Sequence, residues 1–128
     1  GKIDNTIWQP FDEDIIPKLV AEGKTVYLDV TADWCITCLV NKGLVLGDQR
    51  VNDLLSSGKI IAMQADWTKP SDAISRYLAK YGRYGIPFNM VYGPNKPDGI
   101  VLPELLSAGI VLDAFGTAAD NPILTSQK

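Results

Sequence analysis

Both cysteines of this 128-residue chain lie in one short stretch, DWCITC. Cys35 and Cys38 stand two residues apart, directly after Trp34. A pair at that spacing suits a metal clip, a structural staple or thiol–disulfide exchange. A structural zinc site needs four ligands, whereas the chain has two cysteines and no histidine. A two-coordinate Cu(I) clip needs only two soft thiolates, so that reading stays open. A staple gains little, because chain-entropy stabilisation grows with loop size and this loop is close to the smallest possible. Dithiol exchange is the leading reading: one thiolate attacks and the other thiol resolves the mixed disulfide. The lack of histidine also removes histidine general bases, Ser-His triads and His-ligated metals.

Two further features fit exchange chemistry. Asp29 lies within TVYLDVT, six residues before Cys35, in a segment that otherwise reads as a buried strand. Burial would raise its pKa and let it trade a proton with the resolving thiol near neutral pH. The plain alternative is a carboxylate pointing to solvent at a strand edge. The second feature is YGIPF. A Gly-Ile-Pro step at the head of a strand suits a cis Ile86–Pro87 bond, which would bring both residues beside the cysteines. The backbone of Ile86 would then be free to pair with an extended partner segment. The plain alternative is a trans proline that opens a strand.

These residues need a scaffold, and the chain alternates strand-like and helix-like segments. Residues 1–10 read as an irregular lead, with Ile7 and Trp8 able to pack on the body. A helix over 14–22 stops at Gly23, with Pro17 tolerable only in its first turn. Residues 25–31 form a strand, and a helix follows from Cys35 to Leu46, with a possible bend at Gly43. This places Cys35, exposed, at a helix N-terminus, where unpaired N–H groups and the macrodipole favour a thiolate; Cys38 lies one turn further in. Asp48 caps a short helix that ends at Gly58, and residues 59–67 form a second strand. Ile74, Tyr77, Leu78 and Tyr81 mark a helix over 70–82, followed by a strand over 87–93. PNKPDG reads as a turn, a fourth strand starts at Ile100, and Ser107 caps a last helix. Residues 120–128 read as a frayed tail. The expected architecture is α/β: one domain over residues 1–128, with a central mixed sheet of four to five strands flanked by helices.

Composition narrows the function classes. The chain is 46% hydrophobic and 21% charged, with a net charge of −3. No basic run of the kind that phosphate binding needs appears, which argues against nucleic acid as a partner. No apolar stretch reaches the ~20 residues of a membrane span. The chain begins Gly-Lys and is read as a domain or mature fragment of something longer.

DVTADWCITC, with the later GIPF, resembles the thioredoxin family. Longer stretches, TADWCITCLVN, ADWTKPSDAISRYLAKYGRYGIPFNMVYG and VLPELLSAGIVLDAF, are similar to the C-terminal periplasmic domain of bacterial transmembrane thiol–disulfide interchange proteins. These are the DsbD group and its relative ScsB, the suppressor of copper sensitivity protein B. The resemblance covers roughly residues 8 to 118 and implies a thioredoxin fold and an electron relay. In such a relay a membrane domain of the same protein supplies electrons, and a periplasmic thiol–disulfide protein or domain receives them. It implies Cys35 as exchanging nucleophile, Cys38 as resolving thiol, Asp29 as buried acid and Pro87 as cis-proline. Trp34 and Ile86 join Pro87 on the docking side. No cofactor beyond the Cys35–Cys38 disulfide and no metal is expected, and a monomer is expected. Relatives often carry a basic residue just after the second cysteine and an acidic one four after it. Leu39 and Lys42 stand there instead, and Gly43 in the same helix is also unusual.

The intervening dipeptide, Ile36-Thr37, has neither proline nor histidine. A strong oxidant depends on extra stabilisation of the thiolate, and the dipeptide supplies none beyond the helix end. Asp29 and Asp33 add negative charge that disfavours a thiolate, and Lys42 offsets part of this if it folds back over the site. The balance favours an electron donor. The alternatives are a Cu(I)-binding copper-tolerance module and a free-standing thioredoxin-like reductase or isomerase.

Overall fold

A computed structural model describes residues 7–120. Its centre is β2 (Thr25–Thr31), whose seven residues are all buried. The run of β-branched and aromatic residues suits a strand covered on both faces. On one side β2 pairs in parallel with β3 (Ile60–Asp66), and on the other it pairs antiparallel with β4 (Phe88–Gly93). The parallel step needs a crossover. It is supplied by α2 (Ile36–Leu46) and α3 (Gln49–Ser56). The edges are β1 (Trp8–Pro10), parallel to β3, and β5 (Lys96–Val101), antiparallel to β4. The sheet order is β1-β3-β2-β4-β5.

Side chains alternate across a strand, so β2 feeds two cores. Val26, Leu28 and Val30 pack with Met63, Ile74, Leu78 and Met90. That layer is closed by α1 (Ile16–Ala21) and α4 (Asp72–Lys80). Tyr27 packs on the opposite face with Val45, Leu54, Val91 and Phe115, beneath α2, α3 and α5 (Ala108–Ala118). Asp29, two residues along from Tyr27, shares this second face. The helix starts follow short polar caps: Asp48 accepts the Arg50 and Val51 N–H groups, Ser71 that of Ile74, and Ser107 that of Ile110.

Three expectations from the sequence are corrected. The lead is not irregular up to residue 10, because Trp8–Pro10 is a strand in register with Ala62–Gln64. Three residues are too few for alternation to signal a strand, and Pro10, at its end, reads as a breaker. The stretch after Tyr92 is not a turn running to residue 99. Lys96–Val101 is already β5, with a register shift between Val91 and Gly93. Gly99 makes this possible: its φ is +94°, and a Cβ there would meet the Met90 Cε at 2.4 Å. The segment expected as one helix over 14–22 is a short 3₁₀ turn, Glu13–Ile15, followed by α1, with Pro17 in the first turn of α1. The irregular lead expected over residues 1–6 and the frayed tail expected after residue 120 lie outside the described residues.

One buried polar side chain pins α2 to the rest of the molecule. The Asn41 amide donates to the Glu104 carbonyl at 2.7 Å, and its Oδ1 accepts the Leu106 N–H at 2.9 Å. Asn41→Leu would keep the volume but leave the buried Leu106 N–H without a partner. It is expected to cost about 2 kcal/mol of stability. A urea midpoint equal to that of the unsubstituted protein would show that the clamp contributes nothing.

Candidate active site

The site forms where β2 ends and α2 begins. Cys35 and Cys38 are joined in a disulfide, with Cα atoms 5.2 Å apart. Cys35 is the N-cap of α2, and its sulfur accepts the Cys38 N–H at 3.2 Å. Sulfur thus takes the place usually held by a Ser or Asp oxygen, at the end of the helix where the backbone is short of acceptors. The same N–H would stabilise a Cys35 thiolate in the reduced state, together with the helix dipole.

The cysteines pack with Ala32, and Ile86 covers them. The Ile86–Pro87 bond is cis. Ile86 lies ahead of β4, outside the ladder that starts at the Val30–Phe88 pair. Pro87 is buried and Ile86 half-buried. The expectation that Cys35 is exposed is corrected: Cys35 is 7% exposed and Cys38 3%. In the disulfide form the Cys35 N–H is tied to the Ala32 carbonyl, its sulfur faces the helix, and Ile86 lies against it. Position at the helix end, rather than exposure, distinguishes the two sulfurs here. The exposed groups are those around them: Trp34, Thr37, Tyr84 and, at 77%, Ile36. Three of these four are aromatic or aliphatic.

The loop before Cys35 is held from β3. The Asp33 N–H donates to Thr68 Oγ1 at 2.9 Å, and Trp34 Nε1 donates to the Thr68 carbonyl at 3.3 Å. Asp66 in turn accepts both the Thr68 N–H and its hydroxyl. Asp33 itself is exposed. Thr68 and Asp66 were not singled out from the sequence as site residues. Their only sequence signal is the ADWT stretch, and the pairing spans more than thirty residues.

Asp29 is buried on the α2 side of the sheet, paired across the strands with Gln64 and Asn89. Burial raises its pKa to about 6, while the positive charge of Lys42 acts in the lowering direction. Lys42 is turned to this side of α2, with its ammonium 6.0 Å from the centre of the Trp8 ring. The sequence offered Lys42 as a charge folded back over the site, and its charge acts on Asp29. The contact with Trp8 depends on β1, which the sequence hid. The Tyr27 hydroxyl, held above its ordinary pKa by burial and by the charge of Asp29, donates to Asn89 Oδ1 at 3.1 Å. Trp8, Tyr27 and Asn89 are site neighbours that sequence reasoning did not identify. Among the described residues, no group of three or more His, Cys, Asp or Glu side chains is placed to hold a metal ion. No described helix is long and apolar enough to cross a membrane.

The raised pKa of Asp29 has a consequence for stability. The folded protein holds this proton to higher pH than the unfolded chain does. Stability is therefore lost as pH rises from about 4 through about 6. Asp29→Asn removes that loss. Its gain in stability should be small near pH 4 and grow to roughly 2–3 kcal/mol above pH 7, in denaturant titrations at each pH. An equal effect at both pH values would mean that Asp29 titrates normally.

This arrangement has counterparts in known proteins. Residues 7–94 match the family model described as thioredoxin-like. The chain is 33% identical over 91 residues to "Thiol:disulfide interchange protein DsbD 1" of Pseudomonas aeruginosa, covering 69% of this chain and 15% of that protein. It is 28% identical over 116 residues to the DsbD protein of Ralstonia nicotianae, covering 86% of this chain and 19% of that protein. The chain thus spans less than a fifth of the length of these relatives. Among solved structures, the reduced C-terminal domain of Neisseria meningitidis DsbD superposes with a TM-score of 0.62 at 24% identity, over 82% of this chain and 95% of that one. A thioredoxin variant from Halobacterium salinarum superposes at 0.63 with 15% identity, over 94% of this chain and 98% of that one. With the five-stranded mixed sheet, the disulfide at the start of α2 and the family match over most of the described residues, the chain belongs to the thioredoxin-like family.

Proposed function

We propose that this chain is one thioredoxin-like domain that works as a thiol–disulfide oxidoreductase. In this reading it takes electrons from a membrane domain of a longer protein and passes them to a periplasmic partner. The observation that carries it is the Cys35–Cys38 disulfide at the N-terminus of α2, with the Cys35 sulfur accepting a backbone N–H. The relatives named thiol:disulfide interchange proteins support the exchange chemistry, and the relay and the periplasmic setting are what the resemblance to the DsbD group implies. A place in the ScsB branch, and with it a link to copper tolerance, rests on the longer stretches around ADWT and LPELL.

The geometry suits a two-step exchange. In the reduced domain the Cys35 thiolate, stabilised by the helix end, attacks a partner disulfide. One partner sulfur leaves as a thiolate and a mixed disulfide forms. Cys38 then gives its proton to the Asp29 carboxylate and attacks Cys35 Sγ, which breaks the mixed disulfide and releases the second partner thiolate. The domain is oxidised by two electrons and the partner reduced by two; the two protons end on the partner's thiols, directly or through solvent. A base with a pKa near 6 is matched to this task close to neutral pH. Ile86 and the exposed Trp34 and Ile36 would meet the partner's chain beside its cysteine. A Cu(I) clip uses the two sulfurs but gives no role to Asp29 or to Ile86.

Two outcomes are expected. Cys38→Ser should accumulate a mixed disulfide through Cys35 with a thiol-reactive protein partner, visible by non-reducing electrophoresis, and Cys35→Ser should accumulate none. The reverse pattern would exchange the roles of the two thiols. The redox potential, read from Trp34 fluorescence in glutathione buffers, should fall roughly between −270 and −180 mV. Only the helix end stabilises the Cys35 thiolate, and Ile36-Thr37 adds no further donor. A value near the ~−120 mV of a strong oxidant would overturn the electron-donor direction.

A further inference from the structure

Against Asp29 lies a small cavity lined by Trp8, Tyr27, Asp29, Lys42 and Asn89, among others. Its volume is about 10 Å³, close to the room that one water needs. Two lining side chains carry buried N–H groups without a hydrogen-bond partner among the described residues: Trp8 Nε1 and Asn89 Nδ2. Asn89 is 2% exposed, and its oxygen is already taken by the Tyr27 hydroxyl. Buried donors are rarely left unmade. Neither donor reaches Asp29 directly, yet Asn89 stands opposite Asp29 in the strand register, and Trp8 stands opposite Ala62 of β3, which stands opposite Tyr27, so that the Trp8 ring lies on the face of Tyr27 and Asp29. Polar groups that share a cavity without touching are commonly bridged by a water.

We propose that Trp8 and Asn89 together hold one buried water against Asp29, and that this water, with both lone pairs taken by N–H donors, serves Asp29 only as a hydrogen-bond donor. Trp8 and Asn89 are then positioning residues for the buried acid. A donor aimed at a carboxyl group favours its ionised form. The charge of Lys42 works in the same direction, and burial works against both. The other groups facing Asp29 are Tyr27 from its own strand and the neutral Gln64 of β3 and Asn89 of β4. On the exchange reading, from which this inference takes its functional meaning, the water keeps Asp29 available as a base for Cys38 at a lower pH than burial alone would allow.

The test is an NMR titration of the ¹³C-labelled Asp29 carboxyl, with the rate of glutathione exchange recorded on the same samples. Trp8→Phe and Asn89→Leu should each move the Asp29 midpoint upward by roughly half to one pH unit, the equivalent of one lost net hydrogen bond. In the unsubstituted protein, the Trp8 indole proton should show cross-relaxation to a long-lived water, and its chemical shift should follow the Asp29 midpoint near 6. Midpoints that stay put or fall in both variants overturn the proposal. So does an indole proton with no bound-water signal, and that measurement decides the matter if neither variant folds. A protein that exchanges normally with unshifted midpoints sinks the water and spares the exchange reading. Shifted midpoints in a protein that does not exchange do the reverse.

Discussion

The polar pocket under α2 is built around a carboxylate held in the central strand. β2 is buried along its whole length, and placing Asp29 there opposes the tendency of charge to stay in water. The surrounding elements respond to that one constraint. α2 lies over it and brings Lys42 within electrostatic reach. β4 sets Asn89 directly opposite, and Tyr27 occupies the Asn89 oxygen. β1, three residues long, contributes Trp8. The Asn41 clamp fixes the helix over this polar pocket by holding it to the 104–106 segment.

The two faces of the sheet divide the labour. The face beneath α1 and α4 is apolar along β2, and its polar atoms are those of Tyr77, Tyr81 and Tyr92, whose hydroxyls hydrogen-bond to one another. The face beneath α2 and α5 carries the titratable chemistry. Strand alternation alone assigns Asp29 to it, since Tyr27 and Asp29 are two residues apart. A one-residue slip in the register of β2 would move Asp29 under α1 and α4, among Met63, Leu78 and Met90, and would turn Val26, Leu28 and Val30 to the other face.

Much of this was legible beforehand. The β-branched runs of β2 and β3, the helical period of Ile74, Tyr77 and Leu78, and the caps Asp48 and Ser107 are local signals, and the structure follows them. Cys35, Cys38 and Asp29 were legible as neighbours along the chain because one strand-to-helix turn joins β2 to the disulfide at the start of α2. What escaped is non-local. β1 exists only because β3 offers an edge to pair with. β5 contains Pro97, Asp98 and Gly99, a turn-like composition redeemed by pairing with β4 and by the close approach of Gly99 to Met90. The burial of Cys35 follows from Ile86, fifty-one residues away in the chain. Trp8 and Lys42 meet over a pocket whose walls come from four separate elements.

The bracket formed by Thr68 says something about what can be transplanted. Asp33 and Trp34 take their positions from a backbone carbonyl and a hydroxyl at the far end of β3, and that hydroxyl is itself held by Asp66. The smallest portable unit is thus not the hexapeptide from Asp33 to Cys38. It is two strand ends in parallel register, each carrying half of a lock. A host scaffold that received only the cysteine loop would inherit its chemistry without its posture, whereas one that also received Asp66–Thr68 at the neighbouring strand end would inherit both.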